Sequence, residues 1–244
     1  LSKSRIIETQ NLAAQYKGNF ISDSFEYQFT SARLSIKNIN TRNFVKNYLY
    51  EPKAFLDSPG RIINDYAYGL ALAKEKKYEE SISVLLTLLE FLETQDRLYI
   101  IKNYISVALS DAYMKNGDID KAIKILESLN NIYPNDSAIL YYLSGALIKN
   151  KEYRKVINKL IPYVIEHKDH RLIIKISEAA YKLKEKSLAH EYRGDYLMML
   201  GSLNSAIKYY KLALKYNMKG KTIDKRIIYK IKEMERLKEN KEIL

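Results

Sequence analysis

The chain of 244 residues contains no cysteine, which excludes disulfides and thiolate zinc sites. A lack of cysteine suits an oxidising compartment, where a stray thiol is a liability, but many cytosolic proteins share it. Glycine (8) and proline (4) are scarce. A β-sandwich or barrel needs more turn residues than this, so the composition favours helices. Histidine occurs only at His167, His170 and His190, which leaves little material for acid–base chemistry. No apolar run approaches the roughly 18 residues of a membrane-spanning helix. An initiator methionine and an apolar signal region are also missing. The start at Leu1-Ser2-Lys3 reads as a trimmed fragment or processed product whose targeting sequence is gone.

What is present is a 47% hydrophobic chain, enough for one elongated unit or two small domains, with a net charge of +12 and a pI near 9.4. Such a charge raises nucleic acid or an anionic membrane surface as a partner. The lysines, however, are spread through every predicted helix rather than massed in one segment, which fits a solvated basic surface.

A repeat organises the sequence. Residues 103–136 carry Leu109, Tyr113, Gly117, Ile119, Ala122, Leu126, Leu129 and Pro134. Leu109 and Tyr113 form the apolar stripe of a first helix, and Gly117 supplies a positive φ for the tight turn. Ala122 is small enough to let a second helix approach, Leu126 and Leu129 complete its stripe, and Pro134 ends it. The pattern resembles a tetratricopeptide (TPR) repeat. A shift of 34 residues gives Leu143, Leu147, Tyr153, Val156, Leu160 and Tyr163, apolar at each position. A second shift degrades to Ser177, Tyr181, Ser187, His190, Gly194 and Leu197. A better frame then follows: Gly194, Leu197, Gly201, Leu203, Ala206, Tyr210 and Ala213. The helix near 186–200 therefore counts as the second of one pair or the first of the next. Upstream, Gly69, Leu72, Tyr78, Ser81, Leu85 and Leu88 form a looser unit, set off by about seven extra residues around 96–102 that lengthen a helix.

Helices are also predicted at 3–17, 22–37 and 40–57, with the strongest break at Ser58-Pro59-Gly60. The expectation is an all-α, right-handed solenoid of about thirteen helices. It divides into N-terminal helices (1–60), repeats (61–220) and a C-terminal helix (221–244). That last helix places Ile223, Ile227, Ile231, Met234 and Leu237 on one stripe opposite Lys, Arg and Glu. A membrane surface could receive such a stripe, but a cap for the open stack is the expected role.

Catalytic motifs are sparse. His190-Glu191 begins like HExxH, but Gly194 stands where the second histidine must be, so this chain lacks that zinc-protease site. His167 and His170 could present two imidazoles to a metal, an incomplete set at a helix junction where polar residues collect anyway. No cofactor is expected within the chain. His190, with Glu191, Arg193 and Asp195, either lines a polar pocket for a peptide or is a half-buried histidine at a helix crossing. In a TPR stack the first helices of each pair line a concave face. The positions predicted to face it are Tyr66, Tyr104, Asp111, Lys115, Tyr141, Lys149, Lys175, Lys182, Glu191 and Met198. Tyrosine there offers broad contact with a polar tip, and lysine can receive carboxylates.

The order of motifs resembles the C-terminal half of the β-barrel assembly-enhancing (BepA-type) zinc metalloproteases. Leu1 through Ile6 resembles the stretch just past a His-Pro pair near the family's domain join. Ala13-Ala14-Gln15-Tyr16, Asp23-Ser24 and Ala32-Arg33-Leu34 resemble the first two helices after the protease. Ala189-His190-Glu191 with Gly194-Asp195-Tyr196, then Ala206, Leu212-Ala213-Leu214 and Ile223 through Ile227, resemble its C-terminal signatures. Gly194 stands where the family often has Ala. The resemblance implies a periplasmic protein with an N-terminal HExxH domain that holds zinc. This chain would pack against that domain and bind barrel substrates or their assembly machinery. A free-standing TPR adaptor and a basic nucleic-acid-binding solenoid are the other two readings.

Overall fold

The computed structural model describes residues 24–48, 59–93, 99–217 and 220–242. Among these residues there are twelve helices and no strand. They are α1 (Phe25–Asn38), α2 (Thr41–Asn47), α3 (Pro59–Lys74), α4 (Tyr78–Glu93), α5 (Tyr99–Asn116), α6 (Ile119–Ile132), α7 (Ser137–Lys149), α8 (Tyr153–His167), α9 (His170–Lys182), α10 (Lys186–Met199), α11 (Leu203–Lys215) and α12 (Lys221–Glu242). The helix predicted at 3–17 lies outside the described residues, as do residues 49–57 of the helix predicted at 40–57.

Local chemistry explains most of the boundaries. Ser24, Asn40, Asp136 and Asp169 cap α1, α2, α7 and α9 by accepting from backbone N–H groups of the first turn. Pro59 opens α3, a position where its missing N–H goes unmissed, so the expected break at Ser58-Pro59-Gly60 is a helix start.

Seven described residues have a positive φ between helices; Lys168 and Gly220 aside, five of them share one turn geometry: Lys76, Gly117, Lys151, Lys184 and Gly201. After each, the chain folds back through the same long-range cap bond. Lys77, Asp118, Glu152, Glu185 and Ser202 donate their N–H groups to the carbonyls of Leu72, Tyr113, Leu147, Ala180 and Leu197, at 2.8–3.0 Å. The spacing of these turns runs 41, 34, 33 and then 17 residues. The 41-residue step contains the long α4 and α5, of 16 and 18 residues. The 33-residue step explains why a strict 34-residue frame degrades past residue 170. With one residue fewer, Leu143, Leu147 and Val156 correspond to Ile176, Ala180 and Ala189, all buried. The 17-residue step makes α10 the partner of both α9 and α11.

From α2 onward each helix packs on the next, α1 packs on α3, and α3, α5, α7 and α9 also pack successively on one another as an inner row. One core runs from Phe29 to Tyr192. A second, between α11 and α12, holds Ala206, Tyr210, Ala213, Ile227, Ile231 and Met234. Ile227, Ile231 and Met234 of the α12 stripe thus pack on α11, with Leu237 left 38% exposed. Among the described residues no helix is long and apolar enough to cross a membrane.

The second core also explains Gly194. A Cβ at Gly194 would lie 2.5 Å from the buried Tyr210 ring, so the glycine makes room for the tyrosine. A Cβ at Gly145, in α7, would meet nothing within 4 Å. Gly194→Ala should lower stability by about 1–3 kcal/mol through overpacking, whereas Gly145→Ala should raise it by up to about 1 kcal/mol through helix propensity. Urea denaturation of the two variants checks this pair of opposite signs.

Candidate functional site

The inner row presents a continuous face, and its N-terminal end is already covered. Helix α1 packs across α3 and α5. Phe29 is fully buried there, with ring centroids 4.7 Å from Tyr66 and 5.6 Å from Tyr104. Arg33, one turn on, donates to the Tyr142 hydroxyl of α7 and lies over its ring. Lys74 of α3 donates to the carbonyls of Ile36, Lys37 and Ile39 at 2.7–3.1 Å, so a lysine amine closes the end of α1. Thr41 bonds Glu75, and Tyr48 bonds the buried Asp65, which ties α2 to α3. Burial raises the Asp65 carboxyl above its usual range, opposed by its Tyr48 and Arg61 partners.

This arrangement corrects part of the expected inner surface. Tyr66 is a core residue with no exposed surface, and burial pushes its phenol up to about 12. Tyr104 is half-buried beneath Phe29. Sequence patterning had no means to show that α1 would lie on them, because α1 precedes the repeats. The other candidates on this face are exposed or half-exposed among the described residues. Asp111 and Lys115 pair at 2.8 Å on α5. Lys149 is exposed and donates to the Met114 carbonyl. Tyr141 is 38% exposed, with the Lys175 ammonium 5.6 Å from its ring centre. Lys182 is exposed at the end of α9.

Helix α10 divides the remaining candidates between its two sides. Glu191, 2% exposed, faces α12, where Arg226 and Lys230 contact its carboxylate at 2.6 and 2.8 Å. Asp195 accepts from Lys230 and from the Tyr210 hydroxyl. Burial drives the Tyr210 phenol far above its ordinary value, and the Asp195 charge adds to this. Met198 lines the same side, in a cleft of about 490 Å³ between α8, α10 and α12. Glu191, Asp195 and Met198 therefore do not belong to the inner face. The frame that takes α10 as an inner helix fails because α10 is shared.

His190 and Arg193 point the other way, into a separate cleft of about 440 Å³ with Glu178, Tyr181, Lys182 and Tyr209. The imidazole lies 5.5 Å from the Tyr216 ring and 5.8 Å from Tyr209. Desolvation lowers its pKa, and the Lys186 charge lowers it further, which favours the neutral ring. His190, Arg193 and Asp195 thus do not form one pocket. His167 stacks on Tyr163 while His170 lies toward Tyr196. No group of three or more His, Asp or Glu placed to hold a metal occurs among the described residues.

The family model for the tetratricopeptide repeat matches residues 105–136, the hairpin of α5 and α6 turned at Gly117. The chain therefore contains a tetratricopeptide repeat. A solved structure described as MamA RS-1 ArsTM double mutant superposes with a TM-score of 0.51 over 75% of this chain and 98% of that one, at 14% identity. This similarity supports the helical-solenoid fold and nothing finer. MamA MSR-1 C2 (TM-score 0.40, 16% identity, 64% and 96% coverage) and a MamA AMB-1 structure (0.38, 18%, 75% and 87%) diverge further in shape. No curated protein matches the sequence.

Removing the buried carboxylate of Glu191 leaves Arg226 and Lys230 facing Asp195 alone. Glu191→Ala should destabilise the chain by about 2–4 kcal/mol. Urea unfolding measures this, and early proteolysis within α12 should accompany it.

Proposed function

We propose that this chain is the protein-binding module of a periplasmic zinc metalloprotease concerned with outer-membrane protein assembly and quality control. The observation that carries the protein-binding part is the exposed half of the inner face. Tyr141, Lys175 and Lys182 lie exposed or half-exposed there on consecutive inner helices, next to a tetratricopeptide hairpin. Exposed tyrosine flanked by lysine gives apolar contact and a site for carboxylates without any reacting group. The buried Phe29 of α1 indicates what such a face accepts: a helix with an aromatic anchor, held by an arginine one turn on.

The protease context rests on the sequence resemblance. In that reading zinc is bound by an HExxH segment encoded ahead of Leu1. The partners are barrel proteins, their assembly machinery and the peptidase domain itself, and the compartment is the periplasm. A photo-crosslinking residue placed at Tyr141 or Lys175 should trap protein partners in cells, while the same residue at Glu127 on the outer helix α6 should not. Equal trapping at all three positions contradicts the groove. An upstream coding region without HExxH contradicts the protease parent and leaves the groove intact.

A further inference from the structure

The inner row stops at α9 and does not continue onto α11. Helices α3, α5, α7 and α9 pack on one another in succession, but α9 and α11 make no comparable contact, because the turn at Gly201 follows that at Lys184 by only 17 residues. The cleft over His190 and Arg193 fills this gap, at the C-terminal end of the inner face.

Its chemistry is lopsided. The Arg193 guanidinium lies over two tyrosine rings, 5.3 Å from the centre of Tyr196 and 6.0 Å from that of Tyr209. Lys186 lies 5.0 Å from the centre of Tyr216. Lys182 is exposed at the rim, beside Tyr181, which is 67% exposed. No carboxylate among the described residues forms an ion pair with Lys182, Lys186 or Arg193, whereas the one acid lining the cleft, Glu178, lies 3.4 Å from Lys175. Helix α11 cannot supply another, since the sequence has no Asp or Glu between Asp195 and Asp224. The opposite side of α10 is built differently: Arg226 and Lys230 are neutralised by Glu191 and Asp195. One helix thus carries a neutralised structural side and a positive, aromatic, open side.

We infer that this cleft receives an acidic segment of a partner protein. Its carboxylates are taken by Arg193 and Lys182, with Lys186 beyond the lining one turn before His190, and an apolar side chain sits between Tyr181 and Tyr209. A guanidinium already held over aromatic rings loses little freedom when it pairs with a carboxylate. The concave, tyrosine-lined shape favours a side chain over a flat lipid surface. The inference rests on the inner face being protein-binding and adds the chemistry of the partner.

The test uses the whole chain and a labelled peptide in which Asp and Glu alternate with Leu and Phe, compared with the same peptide carrying Asn and Gln instead. Fluorescence anisotropy at low salt should show the acidic peptide binding about five- to tenfold more tightly, with the difference shrinking as salt rises. Lys182→Glu, on an exposed side chain, and Arg193→Gln should each remove most of that preference while leaving the helical circular dichroism unchanged. Equal binding of the two peptides, or unaltered preference in both variants, overturns the inference. So does tighter binding of a short uridylate RNA or phosphatidylglycerol vesicles that the same substitutions abolish. If the peptides fail while crosslinks at Tyr141 and Lys175 persist, only the acidic partner falls and the protein-binding face stands.

Discussion

A left-handed residue at the end of a helix, closed by a bond from the N–H of the very next residue back to the carbonyl five positions before that donor, decides where each hairpin reverses. Each such turn reverses the helix direction within about three residues, and the residues on either side are then committed to one hairpin. Putting lysine rather than glycine there costs about 1–2 kcal/mol, yet Lys76, Lys151 and Lys184 all take it. The cap bond and the packing of each hairpin offset that cost. The placement of the five turns then fixes which helices form the inner row and which lie outside it.

The shortest interval has the largest consequence. With turns at Lys184 and Gly201, α10 has close partners on both sides. The small residue Gly194 and the large Tyr210 interlock on one of them. Toward α12, the buried Glu191 and neighbouring Asp195 gather Arg226, Lys230 and the Tyr210 hydroxyl, so the last helix is held by charge as well as by Ile227, Ile231 and Met234. Toward α9 and α11, Lys186 and Arg193 lie against tyrosine rings, and the one acid lining that cleft, Glu178, pairs with Lys175. The distribution of acids along the chain therefore separates the side that closes the fold from the side left for a partner.

The all-helical solenoid was legible in the sequence because one hairpin, 103–136, follows the tetratricopeptide pattern closely and puts glycine at its turn. The turns at Lys76, Lys151 and Lys184 were not, since lysine carries no signal for positive φ. The single residue missing between Lys151 and Lys184 then put the positions expected from a strict 34-residue shift, Ser177 through Leu197, out of register, while the separate frame from Gly201 to Ala213 kept its turn glycine and its buried stripe. For the expected inner face, Tyr141 and Lys182 are exposed and Lys175 is half-exposed, on α7 and α9. Tyr66 and Tyr104 are covered instead, because α1 packs on them, a contact between segments that no local pattern encodes. Glu191 looked like a surface acid, and its burial follows from two cations more than thirty residues downstream.

The shared helix α10 packs on both α9 and α11, so it is where the continuity of the packed helices is most exposed to failure. Amide hydrogen exchange read by mass spectrometry tests it directly. If α10 serves both hairpins, the central amides of α9, α10, α11 and α12 should exchange together, through one cooperative opening. Exchange of α11 and α12 long before α9 and α10 would contradict the account, since it would make the C-terminal helices a loosely attached appendage rather than the closing part of the groove.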